Sequence, residues 1–439
     1  MSYLLKSATI VTFDPPGVAN GDLRIAGGSI VERGALQARE DEEVINLDGK
    51  LVMPGMVCAH THLYSALARG MPAPPRTPTN FKEILELVWW RLDRALDEET
   101  IYWSAVAGAM EAARSGTTCL FDHHASPSHI TGSLQIVRKA IERVGLRAVL
   151  CYEVTDRGGT GEREQGLDET LALLSWTQSV QATPSEKAAA LFRGMVGAHA
   201  SFTLSDEALG YCAELMKVFN AGLHIHVAED RWDVIDAQSR YNLGVVKRLA
   251  KHSALNSRTI LAHGVHLSDE DIKIAQSAGV WFAHNPRSNM NNQVGYAPVV
   301  NLGDRVVLGT DGIGADMFEE SHFAFFKARD ARTRFGPNDW LRVLSNNQKL
   351  ASESFSCDLR TLDAGSVADL TVLDYQSPTP LTGENLAWHL MFGINSSAVE
   401  TVMVNGKFVI RDRRSALDGE VYEETRKASE KLWAKLREI

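Results

Sequence analysis

Cysteine is scarce in this chain of 439 residues. Cys58, Cys119, Cys151, Cys212 and Cys357 are scattered, odd in number and never spaced C-x-x-C. They offer no disulfide framework and suit a reducing cytoplasm, the expected compartment. Positive charge is not in excess either: the formal net charge is -10. That argues against a nucleic-acid backbone or an anionic membrane as partner. It leaves a small nitrogenous base open as a ligand. No uncharged apolar run reaches membrane-spanning length. The opening stretch reaches Asp14 and Pro15 after short alternating pieces, unlike a signal peptide. Internal repeats, low-complexity tracts and flexible linkers are missing as well.

What is present suits a globular protein: 44% hydrophobic and 23% charged residues. The length allows one large domain plus a smaller one. Short strand-like runs, Leu4–Phe13, Asp22–Ile25, Ser29–Val31 and Glu43–Leu47, fill the first fifty residues, with glycines between them. After about residue 51 apolar strand candidates alternate with helical stretches. The strands are the run before His60, then Thr117–Phe121, Arg147–Tyr152, Met195–Ala198, Gly222–Val227, Thr259–Ala262, Val280–Ala283 and Arg305–Leu308. Helices are expected at Lys82–Arg114, Leu134–Val144, Asp168–Val180, Asp206–Phe219, Val245–His252 and Asp269–Ser277, with Ser268 and Asp271 as a capping box opening the last. The aromatic stretch Val88-Trp89-Trp90 reads as core packing. Eight β/α repeats are the count of a (β/α)8 barrel. Strand-like runs return at Ser366–Leu373 and Ala398–Ile410, the latter turning at Asn405-Gly406, before a charged helix over Glu420–Glu438. The expected fold class is α/β: a distorted (β/α)8 TIM barrel over 55–361, with a small composite β-sandwich domain from 1–54 and 362–439 that carries the C-terminal helix.

In such barrels reactive groups gather where strands end. Strand one ends in His60-Thr61-His62, two imidazoles at i, i+2 and therefore on one side of a strand. Strand five carries His224, His226 and, just beyond, Glu229. Strand six gives His263 and then His266. Strand eight gives Thr310-Asp311-Gly312. We expect His60, His62, His226 and Asp311 around one divalent ion, Zn²⁺ first and Fe²⁺ second, because nitrogen and carboxylate donors suit those ions. Such an ion makes hydroxide from bound water at neutral pH. Glu229 is placed to shuttle the proton, Asp311 to share that work, and His263 to hold the water or polarise the electrophile. His224 reads as packing or as an alternative ligand, and His266 as a surface residue. His123, at the end of the strand that starts at Thr117, and His199, at the end of strand four, are candidates to touch substrate. Asp156 and Arg157 read as a charged selector or a local salt bridge. The proline-rich stretch Met71–Asn80 is expected to overhang the site as a wall or lid.

These residues together resemble the amidohydrolase superfamily. PGMVCAHTH (Pro54–His62) matches its strand-one "PG-x-x-x-x-H-x-H", HVAE (His226–Glu229) its "H-x-x-E", LAHGVHL (Leu261–Leu267) its strand-six histidine segment, and LGTDG (Leu308–Gly312) its strand-eight aspartate. The resemblance covers essentially the whole chain. It is strongest to the branch of cytosine, guanine and S-adenosylhomocysteine deaminases and triazine hydrolases. FDHHAS (Phe121–Ser126), YEVTDR (Tyr152–Arg157) and HNPRSNMNNQVG (His284–Gly295) look like the SsnA group of aminohydrolases. The resemblance implies that His60, His62, His226 and Asp311 bind metal, that Glu229 shuttles protons and that His263 contacts substrate or water. It also implies a ring carbon bearing an amino group as electrophile, with ammonia released. Strand four, Met195–Ala200, has no lysine to be carboxylated, which favours one metal over two. Where many relatives carry "S-N-x-K-L-x-x-G", Asn291 replaces the lysine, while Asn289 remains as a substrate-loop residue.

The expected function is therefore metal-dependent deamination of a purine-, pyrimidine-, pterin- or triazine-like heterocycle. The partner is a small molecule, and the chain forms a homodimer or larger homo-oligomer. The alternatives are hydrolysis of another C–N or a C–Cl bond, and a catalytically inactive binding module, which would have lost Glu229 or a ligand. Two other metal hydrolases are excluded: the cytidine-deaminase signature needs P-C-x-x-C and a zincin needs H-E-x-x-H; neither occurs.

Overall fold

The computed structural model describes residues 2–180 and 190–439. Both ends of the chain meet in one eight-stranded mixed sheet. Its path runs Lys407–Ile410, Val399–Val404, Leu370–Leu373, Leu51–Pro54, Ser2–Phe13, Pro16–Ala26 and Ser29–Gly34, and Glu42–Asn46 pairs in parallel with Ser2–Phe13. The expected Asn405-Gly406 turn joins the first two, with φ of 50° and 68°, values that asparagine and glycine accept. Leu51–Pro54 is the joint between this sheet and the rest. The chain passes straight from it through Gly55 into Met56–Thr61. A Cβ on Gly55 would lie 2.2 Å from Thr118 Oγ1, so glycine is required for that close passage.

The middle of the chain alternates parallel strands with helices, as expected of an α/β chain. The strands form two sheets rather than one unbroken closed ladder. Met56–Thr61, Thr117–His124, Arg147–Tyr152 and Phe192–Gly194 make the first; Val196–Ala200, Leu223–Val227, Ile260–His263, Trp281–His284 and Val306–Leu308 make the second. Strand four, expected at Met195–Ala198, is Val196–Ala200 at the edge of the second sheet, and the short strand Phe192–Gly194 just before it, not expected from the sequence, closes the first sheet. The two sheets meet at single parallel bridges, Thr61 with Asp311 and Val154 with Ala198. Glycines allow a close approach at both seams. A Cβ on Gly197 would sit 2.2 Å from Tyr152 O, and one on Gly309 2.7 Å from the His60 Cβ, so the backbones are already in contact at both seams.

Strand alternation sorts the core. Leu120, Leu150, Ile225, Leu261 and Phe282 join the large cluster that packs the helices. Cys119, Phe121, Val149, Cys151, Ala262 and Trp281 form a smaller one on the opposite face. The long helix expected at Lys82–Arg114 is interrupted. Phe81–Ala95 precedes Glu98–Arg114, and Asp97 caps the second helix in a capping box with Thr100. Inside the first, Leu85–Trp89 is a π-helical turn. The final helix, Asp418–Glu438, lies against Glu98–Arg114, with Trp433 Nε1 donating to Leu67 O at 2.9 Å. No helix among the described residues is long and apolar enough to cross a membrane.

Candidate active site

Leu223, Ile225 and Val227 all turn to the helix-side cluster, which sends His224 and His226 to the other face. His60 and His62 come from the end of Met56–Thr61. His263 and Asp311 reach the same point by a different route: both adopt left-handed backbone, φ 72° and 54°, which breaks strand alternation and redirects the side chain. Non-glycine residues in that region cost energy and concentrate at functional sites.

The donor atoms converge. Those of His60, His226, His263 and Asp311 all lie within 4.8 Å of one another. His62 Nε2 stands 2.8 Å from Asp311 Oδ1 and 3.2 Å from His226 Nε2, while His60 Nε2 is 3.4 Å from Asp311 Oδ1. Such spacings are the edges of a coordination polyhedron with bonds of about 2.0–2.2 Å.

The second set of contacts fixes the tautomers. His62 Nδ1 donates to His123 O at 2.6 Å, and His226 Nδ1 donates to His199 O at 2.8 Å. In the neutral form of each ring both Nε2 atoms carry lone pairs, which face each other across 3.2 Å. That arrangement is repulsive by itself and favourable around a shared cation. His60 Nδ1 meets His224 Nε2 at 2.8 Å, and His263 Nδ1 donates to Asn289 Oδ1 at 2.8 Å. The remaining nitrogens, His60 Nε2 and His263 Nε2, are buried without a hydrogen-bond partner. Burial pushes His60 down to about 3 and holds His226 and His224 well below their ordinary range. Burial also opposes protonation of His62, but the Asp311 carboxylate overrides it and raises His62 to about 9. Burial works against the Asp311 charge as well, yet His60 and His62 hold that carboxyl well below its usual value. His60 and His226 are kept neutral by burial, and the Asp311 carboxylate draws positive charge to His62. Together with the unpartnered Nε2 atoms of His60 and His263, these groups fit a divalent ion of the zinc or ferrous kind, which would take the place of the His62 proton.

Glu229 lies at the edge of this cluster. Its Oε1 accepts from Asn292 Nδ2 at 3.1 Å and its Oε2 is 3.5 Å from His263 Nε2. Burial raises its carboxyl to about 7. The turn that delivers it has Ala228 at φ 48°, pinned because Asp233 accepts from Ala228 N at 2.7 Å and from Phe202 N at 3.2 Å. Ser288 Oγ donates to Asp311 Oδ2.

A cavity opens over the cluster, with His62, His226, Glu229 and Asp311 at its base. His199 lines it, where the sequence reading placed it. Asn289 and His123 do not line it. Asn289 is buried and occupied in orienting His263, so the expected substrate contact is replaced by a positioning one. His123 is likewise buried, with Nε2 donating to Ala198 O and His224 O at 3.1 Å each. Neither His266, bonded to Val294 O, nor the stretch Met71–Asn80 lines this cavity; residues from Pro78 onward border a neighbouring one. Asp156 and Arg157 point apart: Asp156 accepts from Ser205 N and Arg163, while Arg157 pairs with Asp93 at 2.6 Å.

Three contributions were missed in the sequence. Glu153, immediately after Arg147–Tyr152, lies in the cavity wall. Burial opposes its charge, but His199, His123 and Arg157 hold its carboxyl well below the usual range. Trp89 and Trp90 pack against the main core as expected and also line the cavity, next to the π-helical turn at Leu85–Trp89. Asn292 holds Glu229. The odd pairing of adjacent tryptophans in an otherwise amphipathic helix was the available signal.

The amidohydrolase family model matches residues 51–409. The chain is 30% identical to the 5-methylthioadenosine/S-adenosylhomocysteine deaminase of Thermococcus sibiricus, over 93% of this chain and 94% of that one. It is 30% identical to the 5'-deoxyadenosine deaminase of Methanosarcina mazei, over 99% of each. Among solved structures it is similar to an adenosine deaminase from Xanthomonas campestris with bound zinc (TM-score 0.83, 19% identity, 98% of both chains). It is also similar to the atrazine chlorohydrolase of Arthrobacter aurescens complexed with zinc (TM-score 0.82, 22% identity, 97% of this chain and 100% of that one).

Proposed function

This chain belongs to the amidohydrolase family, and we propose that it deaminates an amino-substituted N-heterocycle, releasing ammonia. The observation that carries this reading is the convergence of His60, His62, His226 and Asp311 beside Glu229 and His263 under one cavity. The first four would hold a single divalent ion, Zn²⁺ by preference. When bound, that ion supplies Lewis acidity that makes water a nucleophile at neutral pH.

The protein's own groups do the rest. Glu229, its proton affinity raised by burial, takes the proton that the attacking water loses and returns it to the departing amine. Asn292 holds the carboxylate at the angle needed. His263, locked by Asn289, presents Nε2 towards Glu229 and Asp311, where it can hold the water or the ring nitrogen. Trp89, Trp90 and Phe202 offer flat apolar walls for a ring. Two nucleoside-deaminase relatives that match over nearly the whole chain support a purine-like substrate class. As the finer architecture we take the two sheets and their seams to form a distorted (β/α)8 barrel over 55–361, with 1–54 and 362–439 building a small β-sandwich domain.

The test is an ammonia-release screen of zinc-loaded protein over purines, purine nucleosides, pterins, pyrimidines and triazines. Glu229→Gln is expected to keep its metal and lose at least about 10²-fold in kcat. Full activity in that variant rejects the assignment of Glu229.

A further inference from the structure

Building on that reading, we propose that Glu153 and His199 form a paired hydrogen-bond-accepting wall that selects substrates with adjacent N–H donors of the amidine or guanidine type. Glu153 is 4% exposed and its side chain lines the cavity. Its Oε2 faces His123 Nδ1 at 3.3 Å. Its Oε1 lies 3.7 Å from His199 Nε2 and 3.9 Å from the Arg157 guanidinium. The last two approaches are too long to be hydrogen bonds.

His199 adds a second acceptor. Thr203 Oγ1 donates to Ala200 O at 3.0 Å, so its 2.8 Å contact with His199 Nδ1 is donation by the imidazole. His199 Nε2 is then left with a lone pair beside the Glu153 carboxylate. Two acceptors 3.7 Å apart on one cavity wall are poorly satisfied by each other. A planar unit with two neighbouring N–H groups satisfies both at once, as a guanidinium fork satisfies a carboxylate.

The surroundings favour the same ligand class. Among the described residues the cavity is lined by Glu153, Glu229, Asp230, Asp233 and Asp311, by an Asp93 that Arg157 neutralises, and by no lysine or arginine. Arg157 stands behind the lining, paired with Asp93 and stacked on Trp90, 4.7 Å from the ring centre. Trp90 and Phe202 flank His199 edge-on at 6.0 and 5.6 Å, so the acceptor pair sits between flat apolar surfaces. On this wall, away from the metal ligands, an anionic substituent on the substrate meets carboxylates.

The experiment uses benzamidine, a planar aromatic amidinium, and its N,N-dimethyl derivative, which keeps the charge and loses donors. Binding of each to the full, zinc-loaded chain is measured by calorimetry. The wild type is expected to bind benzamidine at least about tenfold more tightly than the dimethyl compound. Glu153→Gln is expected to lose that preference while its zinc content stays unchanged. Equal affinity for the two probes in the wild type, no binding of benzamidine, or a preference that survives Glu153→Gln would overturn the proposal. Should Glu153→Gln fail to fold, the wild-type pair decides alone. Ammonia release is scored separately: donor selectivity without deamination defeats the proposed reaction and leaves the wall standing.

Discussion

Replacing Asp233 by asparagine tests whether Glu229 is held in place by its backbone turn. Asp233 accepts two backbone N–H groups, from Ala228 at 2.7 Å and Phe202 at 3.2 Å, and its side chain is buried. Asparagine keeps one accepting oxygen and turns an NH2 group towards the other donor. One charge-assisted bond of about 1.5–3 kcal/mol is lost, so stability should fall by roughly that amount. The functional loss follows from Ala228, whose left-handed backbone costs about 1–2 kcal/mol. Once the clamp is weakened, that strain is free to relax, and the fraction of molecules with Glu229 in place drops. At about 1.4 kcal/mol per tenfold, kcat should fall roughly 5- to 30-fold. That is less than the loss in Glu229→Gln. The assay is steady-state ammonia release with parallel elemental analysis and urea denaturation. Adding Ala228→Gly should recover part of kcat, since glycine accepts φ 48° without strain. A variant that is destabilised but retains wild-type kcat would refute the link between this turn and Glu229, as would a glycine that fails to rescue a lowered kcat.

Three further outcomes are expected. Asn289→Ala frees the His263 ring and should reduce kcat about 10- to 100-fold with metal retained, measured by turnover and elemental analysis. Chelation should abolish activity, and re-addition of zinc should restore it at about one ion per chain while raising the melting midpoint by mass action; two ions per chain would contradict the single-ion reading. Asp122 is buried, accepts only from Leu63 N, and has its carboxyl pushed up to about 6 by burial. A raised carboxyl favours the protonated fold, so its contribution is full below about pH 4 and is lost as pH rises through about 6. Asp122→Asn should therefore flatten part of the decline in stability over that interval, read from denaturation midpoints at several pH values.

The convergence of His60, His62, His226 and Asp311 was legible because strand ends can be located from apolar runs, and each of these residues lies at the end of one. Their convergence needed no knowledge of the loops. The cavity wall was not legible. Trp89 and Trp90 read as core and do pack on it, but nothing in a helical pattern says that the same rings also border a cavity. Glu153 stood in a quoted motif but carried no metal-ligand spacing to mark it. His123 and Asn289 lie beside the cluster but behind the cavity lining, because sequence position gives the end of a strand and not which way a side chain is turned. The split of the parallel strands into two sheets, with the extra short strand Phe192–Gly194 ending the first, was equally hidden, since a change of neighbour leaves no mark in hydrophobicity.

That split has a mechanical meaning. The two parallel sheets behave as separate plates, joined at each seam by a bridge and a few backbone bonds, such as Thr310 N to His60 O at 2.9 Å and His199 N to Val154 O at 2.9 Å. One plate carries His60 and His62; His226 and His263 belong to the other, and Asp311 follows its last strand. Glu153 and His199 straddle the second seam in the same way. Any species gripped by all of these groups acts as a fastener between plates, so tightness of grip and rigidity of the scaffold rise and fall together.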